Sequence, residues 1–348
     1  MPTVAVAASD NDFRFAVIDF TNRAGPTVKR VDPNWGGSCR VALNGSRCFV
    51  GNGLGGQVGL WDVTVPASPV YRATCPTALS GIGALAIQGD LVVVGEFVNT
   101  FKARVVLIDF SNPTSPSPMA TVETPLASMP TFDPTKPAPP AITSIAFTGT
   151  KQVVAAGSSN PEVVAIDFTN VAMPVVVTYQ SGFVAVCMDA DASHVAVGDQ
   201  VGGQIKIFDA TTHTVVGGPV QTNLGGVTSL AMAYPTVLAG SVNSLQAVRV
   251  VFSGASGGVT PFTPLPGGGF TTAIAGTVGA CGMLTGSKVA LVDLGPTPPV
   301  PLGVADTGLP SVGTLALSTF AGPPLFVDLR WVWAWIWQHI RFLKRPPA

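Results

Sequence analysis

The side chains best placed for chemistry are four acids, Asp10, Asp12, Glu96 and Asp199. Each falls in the loop after the second strand of a repeated unit, so the four are expected around one mouth of a ring. Trp35, in the loop Asp32-Pro33-Asn34-Trp35-Gly36-Gly37, is expected on the same face. Carboxylates that converge in this way can hold a cation such as Ca²⁺, or act as a general acid and base. Three other units, however, offer Ser158, Val242 and Met283 near the matching place. Solvated loop acids are the simpler expectation. No catalytic residue, no metal ligand set and no cofactor is expected.

The remaining chemical inventory is thin. Of the three histidines, His194 begins a strand, His213 lies in a turn and His339 is near the C-terminus. No two stand at metal-ligand spacing, and no HExxH occurs. The clusters Gly202-Gly203, Gly217-Gly218 and Gly267-Gly268-Gly269 fall between strands, not in the strand-to-helix setting of a phosphate loop. The five cysteines are odd in number and form no CxxC, as expected of small buried hydrophobes in a reducing compartment. Cys39 and Cys48 lie on successive strands of a hairpin through Asn44-Gly45, in a register that does not oppose them. A net charge of −1 with 11% charged residues gives no basic face for nucleic acid.

The elements that must position these groups are read from a recurring unit. In Val105-Val106-Leu107-Ile108-Asp109-Phe110-Ser111-Asn112-Pro113 an apolar run ends in an aspartate and a proline-containing turn follows. Val17-Ile18-Asp19-Phe20-Thr21-Asn22 and Ala165-Ile166-Asp167-Phe168-Thr169-Asn170 repeat it. Looser copies end at Asp62, Asp209 and Asp293. A continuous apolar run suits a strand covered on both faces. The carboxylate at its end is placed to accept backbone N–H groups of the turn, so these six aspartates are expected to be structural caps.

Aligned on the aspartate, the period appears. Asp167, Asp209, Val251 and Asp293 follow at 42 residues, Asp19 to Asp62 is 43, Asp62 to Asp109 is 47 and Asp109 to Asp167 is 58. A period of about 40–45 residues with four strands per repeat is that of a β-propeller blade. Seven aligned positions predict an all-β, seven-bladed propeller of four-stranded blades over residues 1–322. In the sixth, Val251 replaces the aspartate and Ser253-Gly254-Ala255-Ser256-Gly257-Gly258 supplies a glycine turn. Inner strands are predicted at Arg40–Leu43, Ile82–Ile87, Ala141–Thr148, Phe183–Met188, Val227–Ala233, Phe270–Ala275 and Val312–Ser318. The N-terminus opens on a second strand, Val4–Ala8, so Val312–Ser318 is expected to complete the first blade and close the ring, hiding its sheet edges.

The VLIDFSNPTSP and AIDFTN units resemble the LVIVD repeat of bacterial and archaeal β-propellers, over residues 1 to about 319. The resemblance implies the seven-bladed fold and no particular activity, since propellers host enzymes, lectins and scaffolds alike.

Two segments depart from the repeat. Residues 123–140, ETPLASMPTFDPTKPAPP, form a proline-rich insertion expected on the face of the second-to-third-strand loops, with Met129 and Phe132 as apolar groups. Residues 323–348 form a tail holding four of the six tryptophans, Trp331, Trp333, Trp335 and Trp337, followed by Ile340, Arg341, Phe342, Lys344 and Arg345. Read as a short helix or as a strand, the tail is apolar on both sides. Trp331 to Leu343 is shorter than the roughly 20 residues a spanning helix needs. Interfacial tryptophans with terminal cations suit an anchor on a membrane surface or in a groove of a protein partner. No secretory signal is visible after Met1, so a cytoplasmic location, or one peripheral to a membrane or large assembly, is expected. The functional expectation is a non-enzymatic scaffold or interaction propeller docked through its tail. The alternatives are a channel-mouth hydrolase of the lactonase type and a ligand- or carbohydrate-binding propeller.

Overall fold

The computed structural model describes residues 3–9, 12–37, 39–97, 103–126, 142–157 and 161–319. Among them are 28 β-strands and no helix. Asp10, most of the 123–140 insertion and the whole 323–348 tail, with its expected short helix, lie outside the described residues.

The strands form seven antiparallel four-stranded sheets, the blades of a propeller. Six blades run from inner to outer strand in chain order, opening with β4 (Cys39–Asn44), β8 (Ile82–Gln88), β12 (Ser144–Gly149), β16 (Ala185–Ala190), β20 (Ser229–Ala233) and β24 (Phe270–Ala275). The first blade is built from both ends of the ring. Its inner strand is β28 (Thr314–Thr319), paired with β1 (Thr3–Ala8) from Thr3↔Thr319 to Ala8↔Thr314. Each inner strand packs against the next, and β24 against β28 closes the circle. The C-terminal strand therefore closes the ring as its phase in the repeat predicts.

Blades stack face to face, which is why the third strands are apolar on both sides. Val105, Val106, Leu107 and Ile108 are all fully buried. The core is divided into seven layers, one per blade interface; Val4, Phe15, Cys39, Val50 and Trp61, for instance, fill the gap between blades one and two. Burying apolar surface contributes about 25 cal/mol per Å², so each interface stabilises the ring separately. At the perimeter the outer strands face solvent, leaving Val175 and Val177 exposed.

The aspartates sit at turns in the predicted way. Asp19, Asp62, Asp109, Asp167, Asp209 and Asp293 each accept the backbone N–H two residues on, at 2.7–2.9 Å. The residue after each aspartate then plugs the blade interface: Phe20, Phe110 and Phe168 are buried, with their N–H groups bonded to Thr3, Asp90 and Lys151 carbonyls. In blade six the hairpin instead turns through Gly254 at φ 59, which a side chain would strain.

Besides β16, which starts at Ala185 and not Phe183, three inner strands start later than their apolar runs predict, at Ser144, Ser229 and Thr314. The apolar residues just before them, Ile142, Val227 and Val312, are plugs. Each packs over a glycine on the second strand of the preceding blade, where a Cβ would lie 2.4–2.7 Å from its side chain at Gly95, Gly198 and Gly282. Pairing register puts Ala8, Gly51, Ala156 and Gly240 at the same position of the other blades. Only small residues occur there, because the next blade's chain crosses directly above.

Candidate functional site

Glu96 and Asp199 occupy equivalent positions, each ending a second strand on one face of the ring. Each is used by its own loop. Glu96 is buried and forked by Arg104, whose Nε and Nη2 donate to Oε2 and Oε1 at 2.8 and 2.5 Å, while Ser80 and Arg104 add backbone N–H bonds. Burial pushes this carboxyl upward, but the Arg104 and backbone hydrogen bonds outweigh it and hold the carboxyl below its usual value. Asp199 accepts the N–H groups of Val201 and Gly202, both at 3.0 Å. Asp12 is held by Arg14 Nη2 at 2.6 Å, and that bond chiefly keeps its carboxyl below the ordinary range. Trp35 packs edge-on against Trp61, with ring centroids 5.5 Å apart. Among the described residues, no three His, Cys, Asp or Glu side chains come together as a metal site.

The other reactive side chains are equally occupied. His194 stacks on Tyr234 at 3.7 Å and His213 on Tyr179 at 4.8 Å. All five cysteines are free and buried, and Cys39 and Cys48 pair with Asn52 and Leu43, not with each other. Burial pushes the Cys75 thiol up to about 11 and the Cys39 thiol to about 12, far from a reactive thiolate. The string Gly254-Ala255-Ser256-Gly257-Gly258 matches G-x-S-x-G in letters alone. It forms an exposed hairpin in which Ser256 Oγ donates to the Ser253 carbonyl, not a strand-to-helix elbow.

What the inner strands do build is a central channel of ≈ 710 Å³. Its wall is laced from blade to blade. Arg40 Nε donates to the Gly83 carbonyl at 2.9 Å, Ser144 Oγ bridges the N–H and carbonyl of Met188, and Ser229 Oγ accepts the Thr272 N–H at 2.8 Å. Midway along the wall, register identifies one equivalent residue per blade: Ala316, Ala42, Ala86, Ala146, Asp189, Ala231 and Ala273. Six are alanine and one is a carboxylate.

Asp189 Oδ1 accepts the Ala190 N–H at 2.9 Å and Oδ2 the Met232 N–H of the next blade at 2.8 Å. Burial raises its carboxyl to about 6, the backbone bonds opposing the rise only in part. Sequence reading passed over this residue because the predicted inner strand ended at Met188. An aspartate aligned with alanine in every other repeat was the available signal.

A second feature marks the face of the second-to-third-strand loops. Phe13, Leu54, Val201, Val242 and Leu245 are exposed at the tips of loops from four blades, Leu54 by 64% and Val201 by 73%. Side chains of this size left in water at loop tips on one face offer apolar contact area to another molecule.

No protein-family model and no curated protein matches the chain. Its fold is found in solved structures. A protein of unknown function from Desulfotomaculum acetoxidans DSM 771 has a TM-score of 0.70 at 13% identity, over 91% of this chain and 99% of that one. A protein from Bacteroides fragilis NCTC 9343, assigned provisionally as a 6-phosphogluconolactonase, has a TM-score of 0.66 at 9% identity, over 91% and 98%. A chain in the mitotic checkpoint complex has a TM-score of 0.58 at 15% identity, over 79% and 80%. At these identities the likeness is one of fold: this chain is a seven-bladed β-propeller.

Proposed function

We propose that this chain is an interaction propeller without catalytic activity that joins a larger protein assembly, in the cytoplasm or at the periphery of a membrane, through the Trp-rich segment beyond residue 322. The observation that carries this reading is the completeness of the ring. All seven blades have their four strands by Thr319, so no blade lacks a strand that the tail would supply. Trp331, Trp333, Trp335, Trp337, Ile340 and Phe342 are thus surplus to the repeat. Burying one such side chain contributes about 2–3 kcal/mol, and Arg341, Lys344 and Arg345 add charge for acidic or phosphate groups. The exposed loop tips give the ring a further contact face. A similarly folded chain in the mitotic checkpoint complex accords with a protein partner. The finer kinship, with LVIVD-repeat propellers, rests on the Ile-Asp-Phe units themselves.

A channel-mouth hydrolase has less support, since the described histidines stack on tyrosines and the loop acids are spent on their loops. The test is removal of residues 331–348. A folded, more soluble propeller with unchanged melting temperature that no longer co-sediments with its assembly is the expected result. Binding to protein-free vesicles by the full chain would move the anchor from protein to lipid. A sharply lowered melting temperature with association intact would overturn the reading.

A further inference from the structure

We propose that the central channel holds a binding site for a small primary ammonium group, with Asp189 as its counter-ion. The fold does not need a carboxylate here, because the other six blades place alanine at the same register position. Asp189 is nevertheless held firmly, by the Ala190 and Met232 N–H groups at 2.9 and 2.8 Å. A carboxylate offers about four lone-pair positions, so two remain for a donor arriving along the channel that Asp189 lines.

The charge is also uncompensated. Among the described residues no cation pairs with Asp189; their ion pairs include Arg14–Asp12, Arg47–Asp90, Arg72–Asp62, Arg104–Glu96 and His194–Asp191. Arg40 also lines the channel, but three blades away, with its Nε spent on the Gly83 carbonyl. Asp191, two residues on, adds to the negative potential around Asp189. With its carboxyl near 6, Asp189 is ionised at neutral pH, at a partial desolvation cost in the half-buried channel wall. An entering cation relieves that cost.

The surroundings select the kind of cation. Ca²⁺ takes 6–8 oxygen ligands, and no three-ligand cluster exists among the described residues. One fixed carboxylate matches one N–H-bearing cation, as a charge-assisted hydrogen bond. The alanine methyls on either side, Ala146 and Ala231 among them, suit a short carbon stem. A channel of ≈ 710 Å³ is in the range of small-molecule sites.

The experiment is calorimetric titration of the full-length chain with n-butylammonium chloride at pH 7.5, against matched sodium chloride. Saturable binding is expected, abolished by Asp189→Asn and Asp189→Ala and much weaker for tetramethylammonium, which has no N–H. The alanine variant puts into blade five what the other six blades carry, and circular dichroism checks that it folds. As a measurement free of mutation, the wild type at pH 5 should bind about tenfold more weakly, because most of the carboxyl is then protonated. No saturable binding at pH 7.5, binding retained by a folded Asp189→Ala chain, or affinity unchanged at pH 5 would each overturn the site.

Discussion

Ser9 and Ser311, which lie at the two ends of the ring-forming chain, share a buried hydrogen bond of 2.8 Å between their hydroxyls. The bond sits beside the Ala8↔Thr314 pair, where the last strand meets the first. Blade one thus holds the circle together with non-covalent contacts alone, between segments 302 residues apart in the chain. Deleting Thr314–Thr319 should leave blade one with an unpaired inner edge and the channel wall open. Aggregation and loss of a single cooperative unfolding transition are expected. A soluble monomer that still unfolds in one step, by size-exclusion chromatography and thermal melting, would refute closure by this strand.

The turn aspartates should matter through hydrogen bonds, not through ligand chemistry. Asp109→Ala removes the acceptor of the Ser111 N–H, and Asp167→Ala that of the Thr169 N–H. Each is expected to lower stability by about 1 kcal/mol. Blade six already turns without an aspartate, using Gly254 instead, so Val251→Asp should have little effect. Urea unfolding of the three variants separates these outcomes.

The small residue on each second strand gives a steric prediction. A Cβ at Gly95 would lie 2.4 Å from Ile142 Cγ2, a branched side chain fixed between blades. Gly95→Ala should cost about 1–3 kcal/mol by overpacking. Adding Ile142→Ala should recover part of that loss, although the truncation is destabilising by itself. Gly89, at φ 60 with open space around it, is the control: Gly89→Ala is costly for backbone reasons, and no neighbouring truncation should rescue it. Strict additivity for Gly95 and Ile142 in denaturant melts would remove the packing account.

Most of this architecture was legible in the sequence, for a physical reason. Asp19, Asp62, Asp109, Asp167, Asp209 and Asp293 each end a strand buried on both faces, so the strand and its cap recur together and reveal the period. The strand starts were less legible. Ile142, Val227 and Val312 are apolar because they plug the neighbouring blade, and hydrophobicity does not distinguish a plug from a ladder position. The loop acids looked like a site because sequence shows that they share a face. It does not show that Arg104 forks Glu96 or that the loop N–H groups occupy Asp199. Asp189 was hidden for the opposite reason: the strand predicted to end at Met188 runs on through it to Ala190, so its place in the channel wall did not show.

The two classes of carboxyl predict opposite responses to pH. Asp12, Asp62, Glu96, Asp167, Asp209 and Asp306 are held below their usual values, so they stabilise the fold above those values and the gain is lost as pH falls. Asp189 is raised from 3.8 to about 6 by burial. Its protonated form is the one the fold prefers, so its contribution is fully present below 3.8 and is lost as pH rises through about 6. Subtracting the Asp189→Ala chain from the wild type removes the groups common to both. Between pH 4.5 and 7.5 the wild type should lose about 2 kcal/mol relative to the variant. The measurement is denaturant unfolding at half-unit pH steps, with amines absent from the buffer. A flat difference across that range would mean that Asp189 titrates as an ordinary solvated carboxyl, in an open channel and not in an enclosed wall.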